Sequence, residues 1–463
     1  MTAQRDVRPW LVMVGLLAVL ATSVLADVRP PDGVWGLAGM QAFSPAVRAL
    51  LVVLAALLAV PPVARVLARG LRGPAARWRE ATRRVPAVVW IAGLVTVAWL
   101  LRSRRLYGDG AQTVELLERG QWINHKEPLD RFLAALVYRA GHAVTGWDAG
   151  TAIAVVSTLA GVVFWLAVHR LAHRRPLPGA TGLHVWLLLG ATGASALFFG
   201  HVENYAWLTA GTLWTLVMCL EAVTEPARPL WPAALAFGLT LATHLSAIWL
   251  APALVVAWTS RAVRAHQSSR TSLVEAVSGI ALAVAPLAAV AVCMLAGGTG
   301  WGGFSAANFG GGDGSLFVPL RVAASPFERS TLLSAAHLRD VGNELLLIAP
   351  AGALLALVGW LGRRADGRRT DAGTWVLLAA SVGTLAYAFL FNPDMAVFHP
   401  RLGALAEWDL FAFAALPVTL LGVWWLRTAM DAGEERDALV LATGTTALLL
   451  AAAWVLFNAR LQF

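Results

Sequence analysis

The sequence has little charge and little sulfur. Asp, Glu, Lys and Arg make up 14% of the 463 residues, against roughly 25% in soluble globular proteins. Hydrophobic residues make up 58%, and the mean hydropathy is +0.66. The two cysteines, Cys219 and Cys293, both lie inside apolar runs, which predicts buried packing residues rather than a disulfide or a metal pair. This composition excludes an ordinary soluble domain.

Several motifs are also missing. The net charge of +9 and the pI of about 10.7 would suit nucleic-acid binding, but no basic groove with interleaved aromatic residues occurs. No HExxH motif is present, and the glycine-rich stretch 297–317 lacks P-loop spacing. No repeat of fixed period is evident. The excess of arginine therefore needs another explanation, which membrane orientation provides.

Long apolar runs dominate the chain. A membrane-spanning helix needs about 20 mostly apolar residues. The runs are 10–26, 45–66, 86–101, 150–169, 184–200, 203–221, 231–244, 246–260, 274–296, 343–361, 373–391, 409–427 and 438–457. We therefore predict an all-α polytopic membrane protein with about 13 transmembrane helices. The first run is a retained signal anchor or a cleaved signal peptide, and the many later spans favour the anchor.

The arginines predict the orientation, because cytoplasmic loops carry an excess of Lys and Arg. The segment before the first run and the connections 65–84, 169–177, 260–270 and 362–369 are basic, and all fall on one side. We expect that side, with the N-terminus, to be cytoplasmic. The exception is 102–105, a basic cluster on the outer side that attracts an anionic head group or is simply tolerated.

This topology divides the chain into four parts. Residues 1–85 hold two N-terminal transmembrane helices and a basic cytoplasmic loop. Residues 86–297 form a transmembrane core that includes the long outer loop 102–149. The glycine-rich outer loop 298–342 is either a lid that orders over a substrate or a linker, and 343–463 supply the C-terminal transmembrane helices.

The first outer loop carries the clearest candidate residue. Asp109 directly follows a span, and the glycines on both sides of it let backbone and ligand approach closely. Residues 112–119 predict a short helix, and Pro128 begins a second one that we expect to lie at the membrane interface. Asp109 is either an acid placed over a membrane-edge cleft or a helix-capping residue.

Other polar residues fall on the same side. Between the two predicted loop helices, His125, Lys126 and Glu127 form either a phosphate site or a solvated turn. A carboxylate at the membrane edge, such as Glu203, is usually paired or functional, whereas a lone histidine such as His244 is more often a packing residue. The candidate substrate-binding residues are His125, Lys126, Glu127, His201, Glu203, His244, Asp394, His399, Arg401 and Asp409. No cofactor is certain, and a divalent metal ion held by histidines and carboxylates is an open alternative.

Over residues 86–427 the pattern resembles the GT-C superfamily of membrane glycosyltransferases. That family has an acidic residue straight after a span, followed by two juxtamembrane helices, and Asp109 occupies this place. Members related to protein O-mannosyltransferases and aminoarabinose transferases add a Trp and a Lys-Pro-Pro-Leu element, which Trp122 and the segment 126–129 resemble. Two departures are that Asp109 stands alone rather than in an acidic pair, and that two spans precede the family-like core.

The resemblance implies a GT-C-like fold and a polyprenyl-phosphate-linked sugar donor. It implies inverting transfer of a hexosyl or pentosyl group to a glycan, lipid or protein acceptor, outside the cytoplasmic membrane. Asp109 would be the general base, because a sugar phosphate needs a base for the acceptor and cations for the leaving phosphate. His125, Lys126 and Arg401 would contact that phosphate. The alternatives are a transporter or flippase of lipid-linked or polar solutes, or a non-catalytic scaffold for envelope assembly.

Overall fold

The computed structural model describes residues 8–122, 126–173, 182–225, 227–264, 269–296, 317–321, 330–366, 370–392, 401–430 and 433–461. Within these ranges the chain is helical, and the one extended pairing is a bridge between Phe317 and Phe391. The all-α prediction is confirmed. The predicted site residues His125, Asp394 and His399, and most of the glycine-rich loop, lie outside the described residues.

The described α-helices are numbered in chain order. The first eight are α1 (Arg8–Leu25), α2 (Pro45–Ala59), α3 (Pro61–Arg84), α4 (Ala87–Leu100), α5 (Gly110–Glu118), α6 (Pro128–Thr145), α7 (Ala149–His173) and α8 (Gly182–Gly190). The others are α9 (Ala206–Thr224), α10 (Trp231–Thr243), α11 (Ala251–Arg264), α12 (Ser269–Ala296), α13 (Ala335–Ile348), α14 (Pro350–Asp366), α15 (Ala372–Leu390), α16 (Ala415–Ala429) and α17 (Glu434–Asn458). Short 3-10 helices occupy Trp35–Ala42, Gly193–Phe198, Leu245–Leu250 and Gly403–Ala414.

The chain is a multi-pass membrane protein, but the count of thirteen spans is not confirmed. Among the described residues, eight helical segments are long and apolar enough to cross a membrane, or ten if each of two bent helix pairs is one span. The helices α4 and α10 have 14 and 13 residues, which at 1.5 Å per residue gives about 20 Å. That is shorter than a hydrocarbon layer of about 30 Å. The apolar run 184–200 is divided between α8 and the 3-10 helix Gly193–Phe198.

Both helices predicted in the first outer loop are present as α5 and α6. Arg131 on α6 donates to the carbonyl oxygen and the hydroxyl of Thr113 on α5, at 3.0 and 3.2 Å, and so ties the two helices together. Ala134 is buried on one side of α6, whereas Phe132 is 47% exposed on another. An exposed apolar side supports the prediction that α6 lies at the membrane interface.

Helix α17 connects the two ends of the molecule. At its first turn, Glu434 accepts a hydrogen bond from Arg69 of α3 at 2.6 Å. At its last residue, the Asn458 side chain accepts from the Tyr107 hydroxyl at 2.7 Å, next to the loop that carries Asp109. The 25 residues of α17 span about 37 Å at 1.5 Å each. Because this exceeds the hydrocarbon thickness, α3 and the loop around Asp109 lie at opposite faces of the membrane.

Candidate functional site

A tight turn between the 3-10 helix Gly193–Phe198 and α9 carries the first group of site residues. Gly200 has a φ of +61°, a left-handed conformation that favours glycine. The carbonyl of His201 accepts from the Ser157 hydroxyl at 2.6 Å, which holds the turn against α7. His201 and Glu203 are both buried. The turn therefore aims polar side chains into the protein rather than into solvent.

His201 is paired with Asp409, which lies 208 residues further along the chain. Nε2 of His201 and Oδ2 of Asp409 are 2.7 Å apart, and the two side chains are 2% and 0% exposed. The other carboxylate oxygen of Asp409 accepts from the backbone N–H of Leu410 at 3.1 Å. A buried carboxylate with two such donors is well satisfied. The structure thus brings together two of the residues predicted from the sequence.

Glu203 joins this pair to the loop around Asp109. Its Oε1 accepts from the backbone N–H of Gly110 at 3.1 Å. Burial raises the pKa of the Glu203 carboxyl well above its usual range, and the charges of Asp409 and Glu407 raise it further. Protonated Glu203 then donates to the carboxylate of Asp409. The loop that begins with Asp109 is therefore held directly on a buried acid cluster.

Gly108 makes this approach possible. Its φ is +42°, and a Cβ there would lie 2.7 Å from Oε1 of Glu203 and 2.8 Å from Oε1 of Glu407. Both distances are shorter than any normal contact of a side chain. The glycine before Asp109, noted in the sequence as a point of close approach, therefore has a steric reason.

Two further carboxylates belong to the cluster and were not among the predicted site residues. Glu407 is buried within the 3-10 helix Gly403–Ala414. Glu344 of α13 is 3% exposed, neither of its oxygens has a hydrogen-bond partner among the described residues, and it repels Asp409 and Glu407. A charged residue near the start of an apolar run was the signal that could have identified Glu344.

The cluster includes a set of side chains that could hold a metal ion. The ligand atoms of His201, Glu203 and Asp409 all lie within 4.8 Å of one another. One imidazole and two carboxylates suit Zn²⁺ or Mn²⁺. Carboxylates this close in a buried place need protons or a cation to balance their charge. The donor set therefore fits a divalent ion, and the same side chains also satisfy each other by hydrogen bonds.

A second buried group forms around Glu127 at the start of α6. Oε2 of Glu127 accepts from the side-chain amide of Asn204 at 3.2 Å, and Oε1 lies 3.6 Å from Nε2 of His244. The backbone N–H of Leu245 donates to the carbonyl of Lys126 at 3.1 Å. Three segments that are distant in sequence therefore meet here, including the predicted residues Glu127 and His244.

The protonation of this group follows from burial. Burial raises the pKa of Glu127 to about 7, against the opposing effect of Arg131 and Lys126. Burial also lowers the pKa of His244 to about 3. Nδ1 of His244 accepts from the backbone N–H of Ser246 at 3.0 Å, so the single proton of the neutral ring is on Nε2, facing Glu127. His244 is therefore uncharged at neutral pH, whereas Glu127 changes its charge near pH 7.

The rim of the site consists of exposed charged residues. Asp109, Lys126 and Arg401 are all exposed. The charge of Asp109 acts on both Glu127 and Glu203, which places it near both buried groups. Arg401 immediately precedes the segment that carries Glu407 and Asp409. The site thus combines buried polar groups with exposed charged residues.

One pH effect follows from the raised pKa of Glu127. Its folded-state pKa of about 7 exceeds the ordinary 4.5, so the folded protein binds more protons than the unfolded chain between these values. Stability from this group is therefore full below pH 4.5 and is lost as the pH rises through 7. Glu127→Gln mimics the protonated acid. We expect the unfolding temperature of this variant minus that of wild type to be larger at pH 8 than at pH 5.

Thermal unfolding of the purified protein in detergent would measure this difference. The exposed Glu118→Gln on α5 is the matched control and should show the same difference from wild type at both pH values. If the difference in unfolding temperature between Glu127→Gln and wild type is also the same at pH 5 and pH 8, Glu127 ionises normally in the folded protein.

Comparison with known proteins gives structural matches alone. No protein-family model and no curated protein matches the sequence. The crystal structure of ArnT from Cupriavidus metallidurans bound to undecaprenyl phosphate is similar, with 14% identity, 81% of this chain and 77% of that chain covered, and a TM-score of 0.47. ArnT from the same organism in the apo state has 18% identity, coverage of 80% and 77%, and a TM-score of 0.36.

Proposed function

We propose that this protein is a membrane glycosyltransferase that takes a sugar from a polyprenyl-phosphate donor. The transfer occurs at the outer face of the cytoplasmic membrane, with Asp109 as the general base. The observation that carries the proposal is the position of Asp109. It is an exposed carboxylate on a loop held by Gly110 over buried Glu203, and it is close to the second buried group at Glu127.

The leaving phosphate needs positive charge at this rim. Lys126 is the only lysine among the 463 residues, and it is exposed at the start of α6. A lysine ammonium is a compact charge on a flexible stem, suited to following a phosphate as it departs. Arg401, exposed and just before the segment that carries Glu407 and Asp409, would supply a second cation. His125, next to Lys126 in the sequence, would add a third contact.

The chemical step is a single displacement. The acceptor hydroxyl gives its proton to a carboxylate oxygen of Asp109, and its oxygen forms a bond to C1 of the sugar. The bond between C1 and the phosphate oxygen breaks, and the electron pair leaves with the polyprenyl phosphate. Lys126 and Arg401 stabilise the negative charge that develops there. Attack opposite to the leaving group inverts the configuration at C1.

The buried groups would form the floor that holds the sugar. Glu127 with Asn204 and His244, and Glu203 with His201 and Asp409, present donors and acceptors in fixed positions. Asp394 and His399, which precede Arg401 in the sequence, are further candidates for contacts with the sugar. A divalent ion held by His201, Glu203 and Asp409 would supply additional positive charge near the phosphate.

A transporter is less well supported. A solute path should place charged residues deep within several spans. In the described helices long enough to cross a membrane, charged side chains lie within about two turns of a helix end. The polar groups therefore favour a site reached from one side. No observation favours the scaffold alternative.

The single lysine gives a sharp test of the proposal. Purified protein would be assayed for release of polyprenyl phosphate and transfer of label from labelled polyprenyl-phosphate sugars. An amine-acylating reagent should inactivate the enzyme by modifying Lys126, and polyprenyl phosphate should protect it. Lys126→Arg should resist inactivation although it keeps the N-terminal amine, so labelling of that amine is not the cause. The exposed control Arg119→Gln should remain sensitive.

Either of two outcomes would contradict the proposal. If the folded protein consumes none of the labelled donors, the proposed transferase function is wrong. Inactivation that polyprenyl phosphate does not prevent would remove Lys126 from the donor site.

A further inference from the structure

Helix α3 is a strongly basic helix at the face opposite to the active site. It carries seven arginines and one acidic residue in 24 residues. Its Arg69 and Arg72 pair with Glu434 and Asp437 in the first turn of α17. Because the other end of α17 reaches the loop of Asp109, α3 is about a membrane thickness away from the site.

The sides of α3 have different surroundings. Ala64 and Ala68 are buried against the neighbouring helices. Val66 and Leu71 are 65% and 44% exposed, although both are apolar. A helix with exposed apolar side chains beside a row of arginines is typical of a helix lying at a membrane surface, with its apolar side in the acyl region.

A groove lies beside the start of α3. It is a shallow, open groove between α1, the junction of α2 with α3, and α17. On the floor of the groove the lining is apolar, with Leu16 and Ala442. At the helix starts the lining becomes polar, with Trp10, Arg65 and Glu435. This change from apolar to charged matches an amphiphile rather than a soluble ligand.

Arg65 is available to a ligand at this end. Its Nε donates to the carbonyl of Pro61 at 3.3 Å. No acidic side chain within 4.0 Å pairs with Arg65 in the part of the chain that the structure describes. Trp10 is 50% exposed beside it. Tryptophans favour the head-group level of a membrane, so this end of the groove lies where a lipid phosphate would be.

We propose that α3 and this groove bind an anionic phospholipid of the leaflet opposite to the active site. One acyl chain lies over the groove, whose floor includes Leu16 and Ala442, and the phosphate is held by Arg65. The charge favours an anionic lipid over a zwitterionic one. The three acidic residues in the first turn of α17 do not cancel the seven arginines of α3. This site is independent of the proposed glycosyl transfer.

Native mass spectrometry of the full chain in detergent, with added phosphatidylglycerol or phosphatidylcholine, tests the proposal. Wild type should bind phosphatidylglycerol at least tenfold more tightly. Arg65→Gln should reduce that affinity about tenfold, whereas Arg119→Gln, an exposed arginine on α5 at the opposite face, should not change it. Ala442→Leu, which fills the groove without changing charge, should weaken binding of both lipids.

Three results would overturn the site. Equal affinity for the two lipids would remove the anionic preference. Unchanged affinity in Arg65→Gln would remove the head-group contact. Unchanged affinity in Ala442→Leu would exclude the groove as the lipid site. The thermal unfolding of each variant shows whether it is folded.

Discussion

Replacing Asp109 with asparagine should slow sugar transfer by about two to four orders of magnitude, the usual contribution of a general base. Asparagine keeps the shape of the side chain but has no oxygen that can take the acceptor proton at neutral pH. Asp109 is exposed, and it makes no side-chain capping hydrogen bond to α5 although it occupies the cap position. Because Asp109 is exposed and asparagine keeps its size, the loss should appear in kcat.

The rate would be measured with purified protein and a labelled donor at saturating concentration. Glu118→Gln at the other end of α5 is the matched control, since it also removes one exposed carboxylate from the same loop. The variant and the control should unfold at the temperature of wild type. A folded Asp109→Asn enzyme with full kcat would exclude Asp109 as the base.

A second large effect is expected from Gly108→Ala. The new Cβ would lie 2.7 Å and 2.8 Å from carboxylate oxygens of Glu203 and Glu407, and 3.0 Å from the backbone carbonyl oxygen of Ala406. The side chains can turn away, but the backbone carbonyl cannot, so the loop itself must shift. A displacement of about 1 Å at a catalytic group can cost a factor of about 100 in rate.

Gly146→Ala separates this steric effect from backbone strain. Gly146 also has a positive φ, of +72°, but nothing lies within 4 Å of a Cβ added there. Both variants should lose stability from the left-handed conformation, Gly108→Ala the more because its Cβ also collides with its neighbours, and Gly108→Ala alone should lose activity. Equal activities in the two variants would show that the loop does not depend on close approach to the acid cluster.

The elements that could be predicted from the sequence are those with local causes. The length of apolar runs predicts helices, and Pro128 at the first helical position predicts where α6 begins. The two helices of the first outer loop follow from such signals. The number of spans could not be predicted from such signals, because α4 and α10 are short and the run 184–200 is broken between α8 and a 3-10 helix. A hydropathy run records apolar composition, whereas a break depends on how neighbouring helices satisfy the freed backbone groups.

The candidate site shows the same division. Asp109 was identified by its place between two glycines directly after a span, and Glu203 because a carboxylate at the membrane edge is usually paired or functional. Asp409 was included as a polar residue on the same side. Their partners could not be identified in this way. Glu344 and Glu407 were not among the predicted site residues, although the charges of Asp409 and Glu407 act on Glu344 in the folded chain. His244 was kept among the candidates although a lone histidine is more often a packing residue, and nothing in the sequence indicated its contact with Glu127.

By itself the sequence determined that this protein is a bundle of helices in a membrane, with a first outer loop of two helices and an acid between two glycines. These properties follow from hydrophobic length and from backbone preferences of single residues, which act over one or two turns. Only the tertiary structure decided that His201 meets Asp409 across 208 residues. It also decided that Glu127 meets Asn204 and His244, and that α3 lies opposite to the site. Such contacts depend on the register and packing of separate helices, which no local pattern records.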